Sequence, residues 1–196
     1  MRSVLLFSQL TDTNKQSILN VLFLNKAGGK TFAYMPSSGV QGSEDYIAEW
    51  ESIADGNSTK FVVIDNTSSD TQEHDKLLAS DVLLISGGNT FTLLHNLRES
   101  GLDKTIIEFS QKQNIILAGF SAGALILTPT IEICNLPGFN ENLVNLEDMH
   151  GLGIVDFEIF PHYEKYRDAS KLSNYRKRTS NDVREVTNED YVLLDL

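Results

Sequence analysis

Two glycine-rich turns hold the residues best suited to chemistry. Gly119-Phe120-Ser121-Ala122-Gly123 follows the apolar run Ile115-Ile116-Leu117-Ala118 and precedes an apolar helical segment, Ala124-Leu125-Ile126-Leu127. A serine framed by glycines between a buried strand and a helix reads as a nucleophile elbow. The backbone must turn sharply there, and small neighbours let the hydroxyl project. The following helix adds the positive end of its dipole and a free N–H at Ala122, suited to an oxyanion. The other turn, Gly87-Gly88-Asn89-Thr90, closes the run Val82-Leu83-Leu84-Ile85. By itself it is a strand-to-helix turn in which Asn89 and Thr90 can cap the next helix. Beside the elbow, Gly88 becomes a second oxyanion donor, because without a Cβ its N–H can approach a ligand closely.

A serine nucleophile needs a base, and the chain has four histidines. His74 lies in a charged segment and is expected to be solvated. His95 falls on a helical segment in a packing or surface role. His150 sits in a loop and stays a candidate. His162 follows the run Val155–Phe160 through Pro161, just past a strand end, where this class of fold carries its functional loops, and is the best base. The acid that would orient its ring is not singled out, with Glu132, Asp148, Asp156 and Glu158 all available. Cys134 lacks a glycine-framed turn and reads as a packed thiol. No Cys/His spacing suggests a metal site. Gly28-Gly29 follows helix rather than strand and is read as a helix stop.

The elements that must position these residues alternate along the chain. Strand-like runs are expected at Val4–Phe7, Thr31–Met35, Phe61–Asp65, Val82–Ile85, Ile115–Ala118, Ile154–Phe160 and Tyr191–Leu196. Helical segments are expected at Lys15–Lys26, Ser43–Ala54, Thr90–Ser100, Asp103–Gln113 and Ser170–Arg178, with a charged segment containing Leu77 and Leu78 and a loop at Asn135–Met149. Continuous apolar strands separated by helices predict an α/β fold, a three-layer αβα sandwich with a mostly parallel sheet, in one domain over residues 1–196. Ligands bind such sheets beyond the carboxyl ends of the strands, where both glycine turns lie.

The bulk properties agree with a globular chain. Of the 196 residues, 41% are apolar and 22% charged, and the formal charge is −11. That charge argues against nucleic-acid binding, which needs clustered cations. No run is long enough to cross a membrane, and the apolar start ends by Gln9 without a cleavage site. One cysteine excludes an internal disulfide and suits a reducing compartment, so a cytoplasmic location is expected.

Gly87-Gly88-Asn89-Thr90-Phe91-x-Leu93-Leu94, Gly119-Phe120-Ser121-Ala122-Gly123-Ala124, Pro129-Thr130-Ile131 and Pro161-His162 together resemble the peptidase E family of serine peptidases over roughly residues 80–180. The resemblance implies a class I glutamine amidotransferase-like (flavodoxin-like) fold. It implies Ser121 as nucleophile, His162 as base, Gly88 and Ala122 as oxyanion donors, and substrate-binding roles for Asn89 and Arg176. Arg176 stands where the family's aspartate-recognising arginine falls, and a guanidinium fork suits a substrate carboxylate. The family's triad aspartate falls on Leu136, which leaves another acid, a dyad or weak catalysis as readings. The expected activity is that of a serine peptidase on small peptides with an acidic residue at the cleaved position. The alternatives are an esterase or amidase on the same scaffold, or an impaired small-molecule-binding relative. The expected partner is a small peptide, with no nucleic acid, membrane, metal or organic cofactor, and the chain is expected to act as a monomer or homodimer.

Overall fold

A computed structural model describes residues 2–24 and 30–196. The helix stop expected at Gly28-Gly29 lies outside these residues. Five apolar runs form a parallel sheet: β1 (Ser3–Phe7), β2 (Thr31–Met35), β3 (Lys60–Val63), β4 (Val82–Ile85) and β5 (Ile116–Phe120). The strand β8 (Tyr191–Asp195) adds antiparallel to β1 at one edge, giving the order β3-β2-β4-β5-β1-β8.

Successive side chains of a strand point to opposite faces, and here both faces are apolar. Val4, Leu6, Ala33, Met35, Leu83, Ile85 and Leu117 enter one core, while Leu5, Phe7, Phe32, Tyr34, Val82, Leu84, Ile116 and Ala118 enter the other. The second core is covered by α1 (Lys15–Leu19), the π-helical turn Asn20–Leu24 and α2 (Glu44–Gly56), through Ile18, Val21, Leu22, Trp50 and Ala54. The first is covered by α3 (Thr71–Leu78), α4 (Thr90–Ser100), α5 (Leu102–Ser110), α6 (Ala122–Ile126) and a later helix, α7 (Lys165–Arg176). The three-layer α/β expectation therefore holds. Among the described residues no helix is long and apolar enough to cross a membrane.

The run expected as a strand at Ile154–Phe160 behaves differently. Its first half bends, because the Ile154 and Val155 N–H groups donate to Leu127 O at 2.9 and 3.3 Å. The free edge of β1 is taken by β8. What remains, β6 (Glu158–Pro161), pairs in parallel with β7 (Val183–Val186) as a separate two-stranded sheet. This small sheet is pinned by a fully buried carboxylate: Glu158 accepts from Tyr175 Oη at 2.5 Å, Thr179 Oγ1 at 2.6 Å and Asn181 Nδ2 at 3.0 Å. Burial, reinforced by Glu158, pushes the Tyr175 phenol well above its ordinary value.

The carboxyl ends of β4, β5 and β1 lie level, with Ile85 opposite Gly119 and Phe7 opposite Phe120. Gly123 lets α6 start directly against β4: its N–H donates to Ser86 O at 3.1 Å, and a Cβ there would collide with the Ile85 carbonyl. Since backbone cannot retreat as a side chain can, Gly123→Ala is expected to cost about 3 kcal/mol or abolish folding. The midpoint of urea unfolding measures it.

Candidate active site

Ser121 leaves β5 with φ 50° and ψ −112°, a left-handed conformation unusual for a residue with a side chain. Such strain costs roughly 1–3 kcal/mol and persists where the surroundings enforce it. Here the Ser121 N–H donates to Phe7 O at 2.9 Å, and the elbow is closed by Gly119, whose Cβ would strike the Gly123 carbonyl. The hydroxyl is thereby aimed away from the sheet. Ala122 begins α6, and neither its N–H nor that of Gly88 enters a backbone hydrogen bond among the described residues. Gly88 has φ 152°, and a Cβ on it would collide with the Ser37 hydroxyl.

His162 is delivered from the other sheet, immediately after β6, and it too has positive φ, 54°. Ser8, fully buried at the end of β1, holds it there. The Ser8 hydroxyl accepts from the His162 N–H at 2.9 Å and donates to Val186 O at 2.9 Å. The ring then spans 3.0 Å from Nε2 to Ser121 Oγ and 2.7 Å from Nδ1 to Asn188 Oδ1. A serine, an imidazole and a hydrogen-bonding amide are thus in line, and two N–H groups of the adjoining strand ends are available to an oxyanion. This arrangement can carry out acyl transfer.

Two cavities flank the serine. One, of about 420 Å³, is lined by Gly88, Thr90, Leu125, Phe139, Arg167 and Lys171 among others; the second, of about 430 Å³, is lined by Tyr34, Tyr46, Phe120 and several serines. Both lie in the range of small-molecule sites, about 300–1,000 Å³. Asp168 lies beneath Arg167 and Lys171 and is 1% exposed. Arg167 pairs with it at 2.7 Å and also donates to His162 O at 2.6 Å; Lys171 reaches it at 3.1 Å. The hydrogen bonds from Arg167 outweigh burial and hold the Asp168 carboxyl down to about 2.

The structure brings Ser121, His162 and Gly88 to the same cavities, with Ala122 next to Ser121. Asn89 caps α4, accepting from the Phe91 and Thr92 N–H groups at 3.0 and 3.1 Å, and donates to Glu141 O in the 135–149 loop. Arg176 lines neither cavity and turns to Glu185 at 3.0 Å and the Val183 carbonyl at 2.5 Å. Helix geometry explains this: Arg167 and Lys171 are four residues apart and share a face, whereas Arg176 lies nine residues, or about two and a half turns, beyond Arg167.

The four carboxylates considered for the ring lie elsewhere. Glu158 is enclosed by Tyr175, Thr179 and Asn181; Asp148 pairs with His150 and Arg98; Asp156 and Glu132 are exposed. Leu136 packs against the core. His150 lines a different cavity, and His74 is half-buried rather than freely solvated, its ring contacting Thr105 Oγ1 at 2.6 Å and Ser100 O at 3.2 Å. Burial pushes the Cys134 thiol up to about 12, leaving it inert. Asn188 stands where a carboxylate is expected, and an amide carries no charge to mark it in the sequence. The available signal was the polar turn Thr187-Asn188-Glu189-Asp190 immediately before the apolar run Tyr191–Leu196.

The sequence profile of Peptidase family S51 matches residues 4–194, and the chain belongs to that family. An uncharacterized peptidase of Listeria monocytogenes is 39% identical over 88 residues, 45% of this chain and 42% of the relative. A peptidase E of Shewanella is 30% identical over 142 residues, 72% of this chain and 57% of the relative. The matched stretches thus span about half the length of these relatives. A crystal structure from Listeria monocytogenes superposes with a TM-score of 0.75 at 22% identity, covering 100% of this chain and 99% of that one. A peptidase from an acI-B1 Actinobacterium gives a TM-score of 0.72 at 19% identity, covering 99% and 83%. These likenesses place the fold in the flavodoxin-like α/β class.

The lowered Asp168 carboxyl has a consequence for stability. A group whose acidity is strengthened by folding stabilises the fold above its unfolded value, near 4, and loses that contribution as pH falls through its folded value, about 2. Asp168→Asn should therefore lower the urea midpoint at pH 7 and flatten its fall between about pH 4 and 2.

Proposed function

We propose that the chain is a serine peptidase acting on small peptides with an acidic residue on the acyl side of the cleaved bond. The observation that carries this reading is the 3.0 Å approach of His162 Nε2 to Ser121 Oγ at a strained elbow between two cavities. Ser121 Oγ attacks the scissile carbonyl while its proton passes to His162 Nε2. The oxygen that gains the negative charge is held by the Gly88 and Ala122 N–H groups. Collapse expels the amine with the proton returned from His162, and water then releases the acid from Ser121 by the same steps. The residues that act supply the nucleophile, the proton transfers and the charge stabilisation, so the chemistry calls for no cofactor.

The preference for an acidic residue is supported by the lining of the first cavity. Its charged side chains are Arg167, Lys171 and Asp168, and the acid is the buried one, so the two cations face the space. On a chain of charge −11 this is a local reversal of sign beside the nucleophile. The second cavity, walled by Tyr34, Tyr46 and Phe120, would take the leaving residue. A single buried thiol fits a reducing compartment, and we place the protein in the cytoplasm.

Ser121→Ala should lower kcat/KM for Asp-X dipeptides by at least about 10⁴-fold, and undiminished hydrolysis would sink the reading. Lys171→Ala should reduce selectivity for Asp-X over Ala-X by roughly ten-fold, as loss of a charge-assisted contact does. Arg176→Ala should reduce it less, because that guanidinium is engaged with Glu185 and Val183.

A further inference from the structure

The ring nitrogen of His162 that faces away from Ser121 meets an amide where a carboxylate would be looked for. An amide oxygen accepts and cannot donate, so Asn188 Oδ1 at 2.7 Å requires the hydrogen to sit on Nδ1. Nε2 then carries the lone pair, turned toward the Ser121 hydroxyl at 3.0 Å. This is the tautomer that can take a proton from serine. With the other tautomer, Nε2 would already hold a hydrogen and could not act as base.

The backbone that carries this amide is itself held from behind. Asn14 is 2% exposed, and its Nδ2 donates to Asn188 O at 3.0 Å and to Gln9 O at 3.0 Å, while its Oδ1 accepts from the Thr11 N–H at 2.8 Å. Thr11 Oγ1 donates to Glu189 Oε2 at 2.7 Å, and Thr187 Oγ1 to Asp190 Oδ2 at 2.7 Å. The turn from Thr187 to Asp190 is therefore tied both to itself and to the segment after β1. The neighbouring carboxylates of Glu189 and Asp190 are engaged in these ties, so the group that reaches the ring is the neutral one.

We propose that Asn188 is the positioning residue of this site: it fixes the tautomer and orientation of His162 as a neutral amide, in place of a triad carboxylate. Its kinetic consequence rests on the serine-peptidase reading. It acts through His162 and does not touch substrate, so it should affect kcat and leave KM in place. An amide supplies the acceptor but not a full negative charge opposite the imidazolium that forms during attack, so a carboxylate of the same size should serve at least as well.

The test compares Asn188→Ala and Asn188→Asp with the wild type, each first shown to melt at the wild-type temperature within a few degrees. Asn188→Ala should lose at least about 100-fold in kcat for an Asp-X dipeptide with KM within about two-fold. It should show the same loss in the rate at which a fluorophosphonate labels Ser121. Asn188→Asp should regain at least ten-fold over Asn188→Ala. A kcat for Asn188→Ala within three-fold of wild type, or Asn188→Asp no faster than Asn188→Ala, overturns the proposal. A wild-type protein inert to both probes would instead bring down the serine-peptidase reading. The assignment would then be decided by ¹⁵N NMR of the neutral ring. A fixed Nδ1–H form in the wild type that is lost in Asn188→Ala supports it, and mixed tautomers in the wild type overturn it.

Discussion

The site depends on how closely three neighbouring strand ends approach one another. β4, β5 and β1 finish level, and the backbone that follows them is laced across the gap. Gly123 N–H reaches Ser86 O, and Ser121 N–H reaches Phe7 O. These bonds form only because Gly119 and Gly123 present no side chain at the crossing. The strained conformation of Ser121 is the product of this lacing, and so is the position of the α6 N-terminus beside the hydroxyl. The large apolar cores on both faces hold the strands in register, so the local strain is carried by packing elsewhere.

His162 reaches Ser121 from a different body of structure. β6 and β7 stand apart from the main sheet, and the ring of His162 closes the distance between them. The cavities on either side follow from that division. One lies toward α7, with Arg167 and Lys171 displayed above a buried Asp168, and the other lies toward the turn after β2, walled by aromatic rings. Arg167 also touches the His162 carbonyl, so the cationic lining and the placement of His162 are joined in one cluster.

Much of this was legible in the sequence where burial imposes a pattern. Thr31–Met35 and Val82–Ile85 appear with the bounds their hydropathy suggests, because fully covered strands must be apolar on both faces, and Thr90–Ser100 does so because Asn89 caps the helix and Gly101 ends it. Ser121 and His162 were legible because each follows a strand end. Position along the chain does not convey which face of a helix meets the site, and counting from His162 to Arg176 ignores the turn of α7. The small sheet was legible only in part, since a strand was expected over Ile154–Phe160 but none at β7. Glu158 opens β6 with a charge, and β7 reads Val-Arg-Glu-Val, so neither shows the apolar continuity of a central strand. Asn188 was hidden for a related reason: a polar turn looks the same whether its amide faces solvent or an imidazole.

Ser8 lines the aromatic cavity, and it is also the atom-scale joint between the two sheets. Its one proton goes to Val186 O, which leaves its oxygen free to accept from His162 N–H. Alanine would remove both bonds and leave the His162 N–H and the Val186 carbonyl without this partner. Position 8 is therefore constrained by assembly, because the two bonds it makes set where His162 stands. Across related chains its tolerance for replacement should be as narrow as that of a residue that takes part in the chemistry.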